Sequence, residues 1–380
     1  MWRVTLNSLA AIAMTLCFVI SGSRARADDV PLRQNDWTVI AKEIRFEDYK
    51  GKKALFLRDG SAILKNNNFK NGIIEFDIAI PQTRAFLGLL FRLQDVNNAE
   101  ELYLRAHQSG NPDANQYTPI FNGIAGWQLY YGPGYSAPVK YRFDEWMHVK
   151  LLILNNEAEV YIDSETPSFF IPELKREAKS GALGFRSLIG GAHYANLRVT
   201  ETNNVRFATL PEKRDEQRVV IAEQSQVVHW AVSTPFAEEL LRDQMSFPAE
   251  LGKKLKFMPL DAEESGIANL ARLQGIARGN TVVAALSLKA DGEIRIPLGF
   301  GFSDQARVYL NGILLYKGDD KFQSRDYRFL GTLGLYDWVI LPLQKGDNQL
   351  WIAVSEYMPG GWGVAASLPL KKGVLVSAGP

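Results

Sequence analysis

Cysteine is nearly absent from the 380-residue chain: Cys17 is the only one, and it sits in a hydrophobic N-terminal stretch. Disulfides and cysteine-based zinc sites are therefore excluded, and four histidines are too few to replace them. An excess of charge of either sign is also missing, with 43 Lys and Arg against 42 Asp and Glu. The basic residues are dispersed, which argues against nucleic acid as a partner, because phosphate binding needs a concentrated basic surface. Outside the N-terminus no apolar run is long enough to span a bilayer, so stable membrane insertion is not expected. Phosphate loops and a Gly-x-Ser-x-Gly elbow are missing as well, since Gly299-x-Gly301 is too short a match.

What is present begins with a leader. Arg3 precedes the apolar run Leu9–Ile20, and Ala25-Arg26-Ala27 is a small-x-small cleavage site before Asp28. Residues 1–27 thus read as a signal peptide. Its removal takes Arg3, Arg24 and Arg26 and shifts the formal charge from +1 to −2. Leu16 before Cys17 is not the small residue that lipid modification favours. A cysteine-free exported chain suits a bacterial periplasm or exterior, where its core alone must hold it together.

Short strands separated by turn residues fill the chain from Trp37 to Thr200. They include Gly72–Ile80, Phe86–Gln94, Glu101–His107, Trp127–Tyr131, Trp146–Leu154, Ala158–Asp163 and Ala192–Thr200. A polar stretch, 203–226, reads as a linker between a first unit at 28–202 and a second at 227–380. Helical periodicity is confined to Phe236–Met245 and Gly266–Leu273. Strands resume at Thr281–Leu288, Gly292–Pro297, Ala306–Leu310, Asp337–Leu341 and Gln349–Ser355, and Asn311-Gly312 marks a tight hairpin. The expected fold class is all-β, two β-sandwiches of jelly-roll type.

The strand at 101–107 alternates strictly. Leu102, Leu104 and Ala106 fall on one side, and Glu101, Tyr103, Arg105 and His107 on the other. An acid, an aromatic, a guanidinium and an imidazole in a row form a ligand-contact vocabulary. Arg92 and Gln94 project from the polar side of the neighbouring strand. Trp127, Tyr130 and Tyr131 add rings suited to sugar faces, with the Gln128 amide among them, although about half of that segment must be core. The candidate ligand-binding set is therefore Arg92, Gln94, Tyr103, Arg105, His107, Trp127, Gln128 and Tyr130. His148, His193 and His229 read as structural.

Gly72–Ile80 places Glu75 and Asp77 on one face. A retaining glycosidase needs two carboxyls roughly 5–5.5 Å apart, which strand neighbours can reach. This strand resembles the Glu-x-Asp-x-x-Glu strand of family 16 glycoside hydrolases, but position 80, where the third acid belongs, is Ile. Without that acid it reads as a solvated or ligand-contacting face. Asp95, Asn97 and Asn98 offer oxygens suited to Ca²⁺, but such loops are usually turns, so no cofactor is expected.

The segments FKNGIIEFDIAI, WMHVKLLILNNEAEVYIDS and GALGFRSLIGGAHYANLRVT, spread over residues 37–200, resemble the concanavalin A-like lectin/glucanase superfamily, including laminin-G-like and 3-keto-disaccharide hydrolase-like modules. DQARVYLNGILLYKG, LPLQKGDNQLWIAVSE and GGWG, within 280–370, resemble a galactose-binding-like jelly roll. Both resemblances imply carbohydrate as the ligand class. The leading expectation is an exported lectin-like protein that binds a glycan or other extracellular ligand through the polar face of the first sandwich. The alternative is a glycoside hydrolase using Glu75 and Asp77, or Glu101 and His107. The second sandwich either braces the first or docks a protein partner.

Overall fold

The computed structural model describes residues 28–216, 226–276, 279–369 and 371–380. The expected signal peptide and Cys17 lie outside the described residues. No helix among the described residues is long and apolar enough to cross a membrane.

Twelve strands build the first sandwich: β1 (Asp28–Asp29), β2 (Trp37–Tyr49), β3 (Lys52–Leu64), β4 (Gly72–Ala79), β5 (Phe86–Asp95), β6 (Asn98–Arg105), β7 (Asn115–Phe121), β8 (Ile124–Ala125), β9 (Trp146–Leu154), β10 (Glu157–Ile162), β11 (Phe169–Ile171) and β12 (Ala182–Glu201). All pairings are antiparallel. The long β12 organises them, pairing with β5 through Ala182–Leu188 and with β4 through His193–Glu201, while β3 follows both halves. Between the halves the register shifts from Ser187 to Gly191, and Ile189 and Gly190 adopt positive φ. Such a bulge bends a strand and increases its twist. One continuous sheet thereby curls into two layers, β11-β10-β9-β4 and β5-β6-β7-β8.

Period-two patterning fills the space between them. Ile74, Phe76 and Ile78 from β4 and Val149 and Leu151 from β9 meet Leu87, Leu89 and Phe91 from β5 and Leu102 and Leu104 from β6. Each such burial contributes about 1.5–3 kcal/mol, so the core holds without a disulfide. The architecture is the all-β sandwich that the lectin/glucanase resemblance implies.

The second sandwich is made of β13 (His229–Ser233), β14 (Phe257–Asp261), β15 (Ala268–Asn269), β16 (Thr281–Ala290), β17 (Ile294–Ser303), β18 (Gln305–Leu310), β19 (Ile313–Asp319), β20 (Asp337–Leu343), β21 (Gly346–Ser355), β22 (Gly363–Ser367) and β23 (Val374–Ala378). One sheet runs β14-β13-β16-β21-β18-β19 with β23 beside β16, and the other runs β15-β22-β17-β20. Leu286, Val308 and Ile352 from the first share a core with Leu298, Phe300 and Val364 from the second. Asn311 and Gly312, both with positive φ, close the two-residue hairpin between β18 and β19 as expected.

The two helical expectations are corrected. Phe236–Met245 holds only a 3₁₀ turn at Glu238–Leu241, and Gly266–Leu273 holds β15 and a 3₁₀ turn at Leu270–Arg272. The backbone of Phe236 pairs with Thr281, and that of Ala268 with Val364. Those bonds to strands take the groups a helix would have used.

Candidate functional site

Within β6 the alternation is as the sequence implies: Leu102 and Leu104 enter the core, while Glu101, Tyr103 and Arg105 leave on the outer face. That row is covered, however, each of the three being only 5–6% exposed. Gln116 of β7, directly across from Tyr103, explains part of this. The Tyr103 hydroxyl donates to Gln116 Oε1 at 2.9 Å. Arg105 donates through Nη2 to the Tyr103 hydroxyl at 2.5 Å and to Gln116 Oε1, and through Nη1 to the Asp113 carbonyl at 2.8 Å. Gln116 Nε2 donates in turn to the backbone carbonyls of Trp127 and Tyr130. Arg105 and Tyr103 therefore spend their polar capacity within the protein.

Glu101 differs. Its carboxylate accepts from Arg186 Nη1 of β12 at 3.1 Å, and burial pushes its carboxyl up despite that cation. Arg186 lines a groove of about 330 Å³ together with Ile63, Leu90, Ala99 and Ile120. Ile40, Val96 and Leu188 stand exposed around it. An aliphatic surface with one guanidinium is thus open to solvent on this face. His107 lies on the 3₁₀ turn past the end of β6, edge-on to Phe86 at 5.2 Å. Burial and then the positive charges of Arg84 and Arg105 hold its pKa down.

Arg92 and Gln94 do not join that row. Arg92 has a φ of 48°, and the β5–β6 register shifts between Phe91 and Asp95. The bulge turns Arg92 into the protein, where Nε donates to the Lys70 carbonyl at 2.8 Å and Nη2 to Asn71 Oδ1 at 3.0 Å. Gln94 donates to the carbonyls of Ser180 and Arg92. The Asp95 carboxylate closes its own turn, accepting from the Asn97 amide and from Asn98 Nδ2. Among the described residues no three His, Cys, Asp or Glu side chains gather as a metal site.

Trp127–Tyr131 is a turn rather than a strand, and it joins the two sandwiches. The Gln128 amide donates to the Gly360 carbonyl at 2.9 Å, and Gln128 Nε2 to Asp304 Oδ1 at 3.1 Å and to the Gly331 carbonyl at 3.0 Å. The Tyr130 hydroxyl donates to Glu263 Oε1 at 2.5 Å and accepts from Asn269 Nδ2. Tyr131 donates to the Leu333 carbonyl. The glycines of the GGWG run make room for this approach: a Cβ on Gly360 would lie 2.6 Å from both Gln128 Oε1 and Trp127 Nε1.

Glu75 and Asp77 occupy the outer face of the opposite layer. Asp77 accepts from Lys52 Nζ at 2.7 Å and Asn196 Nδ2 at 2.6 Å, and its other oxygen lies 2.9 Å from His148 Nδ1. Burial pushes the Asp77 carboxyl up, but hydrogen bonds from His148, Lys52 and Asn196 outweigh it and bring the pKa to about 2. His148, whose Nε2 is 3.5 Å from Glu75 Oε1, is held above its ordinary value chiefly by Asp77. Arg186, Gln116, Lys52 and Asn196 are the site residues that sequence reasoning missed. Their roles come from cross-strand pairing, for which the local pattern carries no signal.

No family model and no curated protein matches the chain. Solved structures similar to it include a carbohydrate-binding module, CBM66, from Bacillus subtilis, at 15% identity over 43% of this chain and 96% of that one, with a TM-score of 0.35. A putative glycosyl hydrolase from Parabacteroides distasonis is similar at 15% identity, covering 44% and 89%, with a TM-score of 0.32. A β-glucanase from Bacillus licheniformis is similar at 13% identity, covering 45% and 84%, also with a TM-score of 0.32.

Proposed function

We propose that this is an exported carbohydrate-binding protein that holds a glycan on the outer face of the first sandwich, in the groove beside Glu101 and Arg186. The carrying observation is Arg186 itself. One of its five N–H donors is anchored on a buried carboxylate, and the side chain lines an open groove with an aliphatic floor. The floor suits the apolar face of a sugar ring, and the guanidinium fork suits neighbouring hydroxyls. Residues 28–202 form the binding unit, and residues 227–380, beyond the 203–226 link, brace it. The leader at 1–27 supports a periplasmic or secreted setting.

Hydrolysis is the second reading, because the burial-raised Glu101 carboxyl is what a catalytic acid needs. A glycosidase needs two carboxyls, and among the described residues no carboxylate lines this groove, Glu101 reaching it only through Arg186. His107 is separated from Glu101 by roughly 13 Å of strand and a further turn. Asp77, ionised down to about pH 2, is no proton donor. A glycan-array screen with wild type and Arg186→Ala tests the proposal: wild type binds a sugar and the variant loses it. A wild type that binds no sugar overturns it. Release of reducing sugar by wild type moves the assignment to the hydrolase.

A further inference from the structure

A second cavity, of about 480 Å³, lies where the two sandwiches meet. Small-molecule sites favour such junctions and run from roughly 300 to 1,000 Å³. Its lining is unlike that of the aliphatic groove. Five cations line it, against the two acids Asp95 and Glu177. Some of that charge is compensated: Lys175 pairs with Glu263 at 2.8 Å and Glu173 at 2.5 Å, and Lys179 pairs with Glu177.

Two of the three guanidiniums in the lining converge on one ring. Arg176, from the first sandwich, lies 4.7 Å from the centroid of Phe121, and Arg272, from the second, lies 5.7 Å from it. Arg176 is oriented by donation through Nη1 to the Ile120 carbonyl at 2.7 Å and to Asn98 Oδ1 at 3.1 Å. Arg272 comes into place through the 3₁₀ turn at Leu270–Arg272, where the Ala271 carbonyl accepts from Asn122 Nδ2 at 2.8 Å. Glu263 is 3.8 Å away from it, a charge contact without a hydrogen bond. Arg92 lines the same cavity, is only 1% exposed, and its Nη1 has no hydrogen-bond partner among the described residues. That nitrogen leaves the cavity wall with a donor that no protein acceptor among the described residues takes up.

We infer that this junction is a binding site for an anionic sugar, a uronate or sulfated residue, with Arg176 and Arg272 clasping the acidic group from the two sandwiches. Guanidinium forks fit carboxylate and sulfate oxygens, and the amide oxygens of Gln94 and Asn122 along the wall can accept from ring hydroxyls. The ligand class rests on the carbohydrate reading above, but this site shares no lining residue with the outer groove, although both border the Asp95–Asn98 turn.

Calorimetric titration of the full chain with digalacturonate, with neutral digalactose and with sodium sulfate tests it. Digalacturonate should bind, neutral digalactose should bind at least about tenfold more weakly, and Arg272→Ala should cost digalacturonate at least about tenfold, the loss of one charge-assisted contact. Lys179→Glu, on a side chain 66% exposed, should weaken it about threefold and covers the case in which Arg272→Ala fails to fold. No digalacturonate binding, or equal binding of the neutral sugar, overturns the inference. Sulfate binding as tight as digalacturonate overturns the sugar half of it. Loss of digalacturonate binding in Arg186→Ala but not in Arg272→Ala moves the sugar to the outer groove, which overturns this site and keeps the glycan reading.

Discussion

The two outer faces of the first sandwich each hold a carboxylate close to a cation, and they use it in opposite ways. On one face Asp77 is met by Lys52, Asn196 and His148, so both its oxygens are occupied and its charge is fixed. On the other, Glu101 has Arg186 as its ion-pair partner and sits beside an open aliphatic groove. A carboxylate saturated with donors is a brace. One with a single cation, in dry surroundings, leaves that cation with donors to offer. The carboxylate group is common to both places, and the number of donors decides what each can do.

Arg186→Ala is the strongest way to break the contrast. It leaves Glu101 buried without its cation, and should cost about 2–3 kcal/mol in urea unfolding at pH 7 along with sugar binding. Unchanged stability would mean that Glu101 does not depend on the pair.

Asp77→Asn comes next, at about 2 kcal/mol at pH 7 and no effect on sugar binding. The folded Asp77 pKa, about 2, lies below the ordinary carboxylate value near 3.9, so its contribution is present above about pH 4 and is lost as pH falls toward 2. Thermal melts of wild type and variant should therefore converge over that window.

His148→Ala should cost less than about 1 kcal/mol, since the ring is half exposed. Its pKa is raised in the fold, so the difference is full below about pH 6.5 and fades as pH climbs through the elevated value. A gap that widened with rising pH would contradict the Asp77 pairing. Glu75→Ala, whose contact to His148 is 3.5 Å, should stay within about 0.5 kcal/mol of wild type by the same melts.

How far the sequence speaks depends on how local each feature is. The cores of β4 and β9 are visible because alternate residues carry the pattern, and the Asn311-Gly312 turn because two residues suffice for it. The long β2–β3 hairpin, turning at Lys50-Gly51, has too irregular an alternation to stand out. Arg92 eludes strand periodicity because a bulge breaks the alternation that periodicity assumes. Trp127–Tyr131 reads as an aromatic strand from its composition, yet its conformation is set by partners more than 130 residues away, such as Glu263 and Asp304. The Glu101, Tyr103 and Arg105 side of β6 was legible, while its cover, Gln116 and the backbone of the 127–130 turn, was not.

The fit of the 127–129 turn against Gly360, Gly361 and Gly363 limits what could replace either half of the chain. Modules that are shuffled between proteins meet through forgiving surfaces, so either can be replaced by another of its kind. Here one half presents a backbone surface stripped of side chains and the other half fills it. A substitute sandwich without those glycines would collide with the turn. Either half can therefore be exchanged only for one that reproduces this contact.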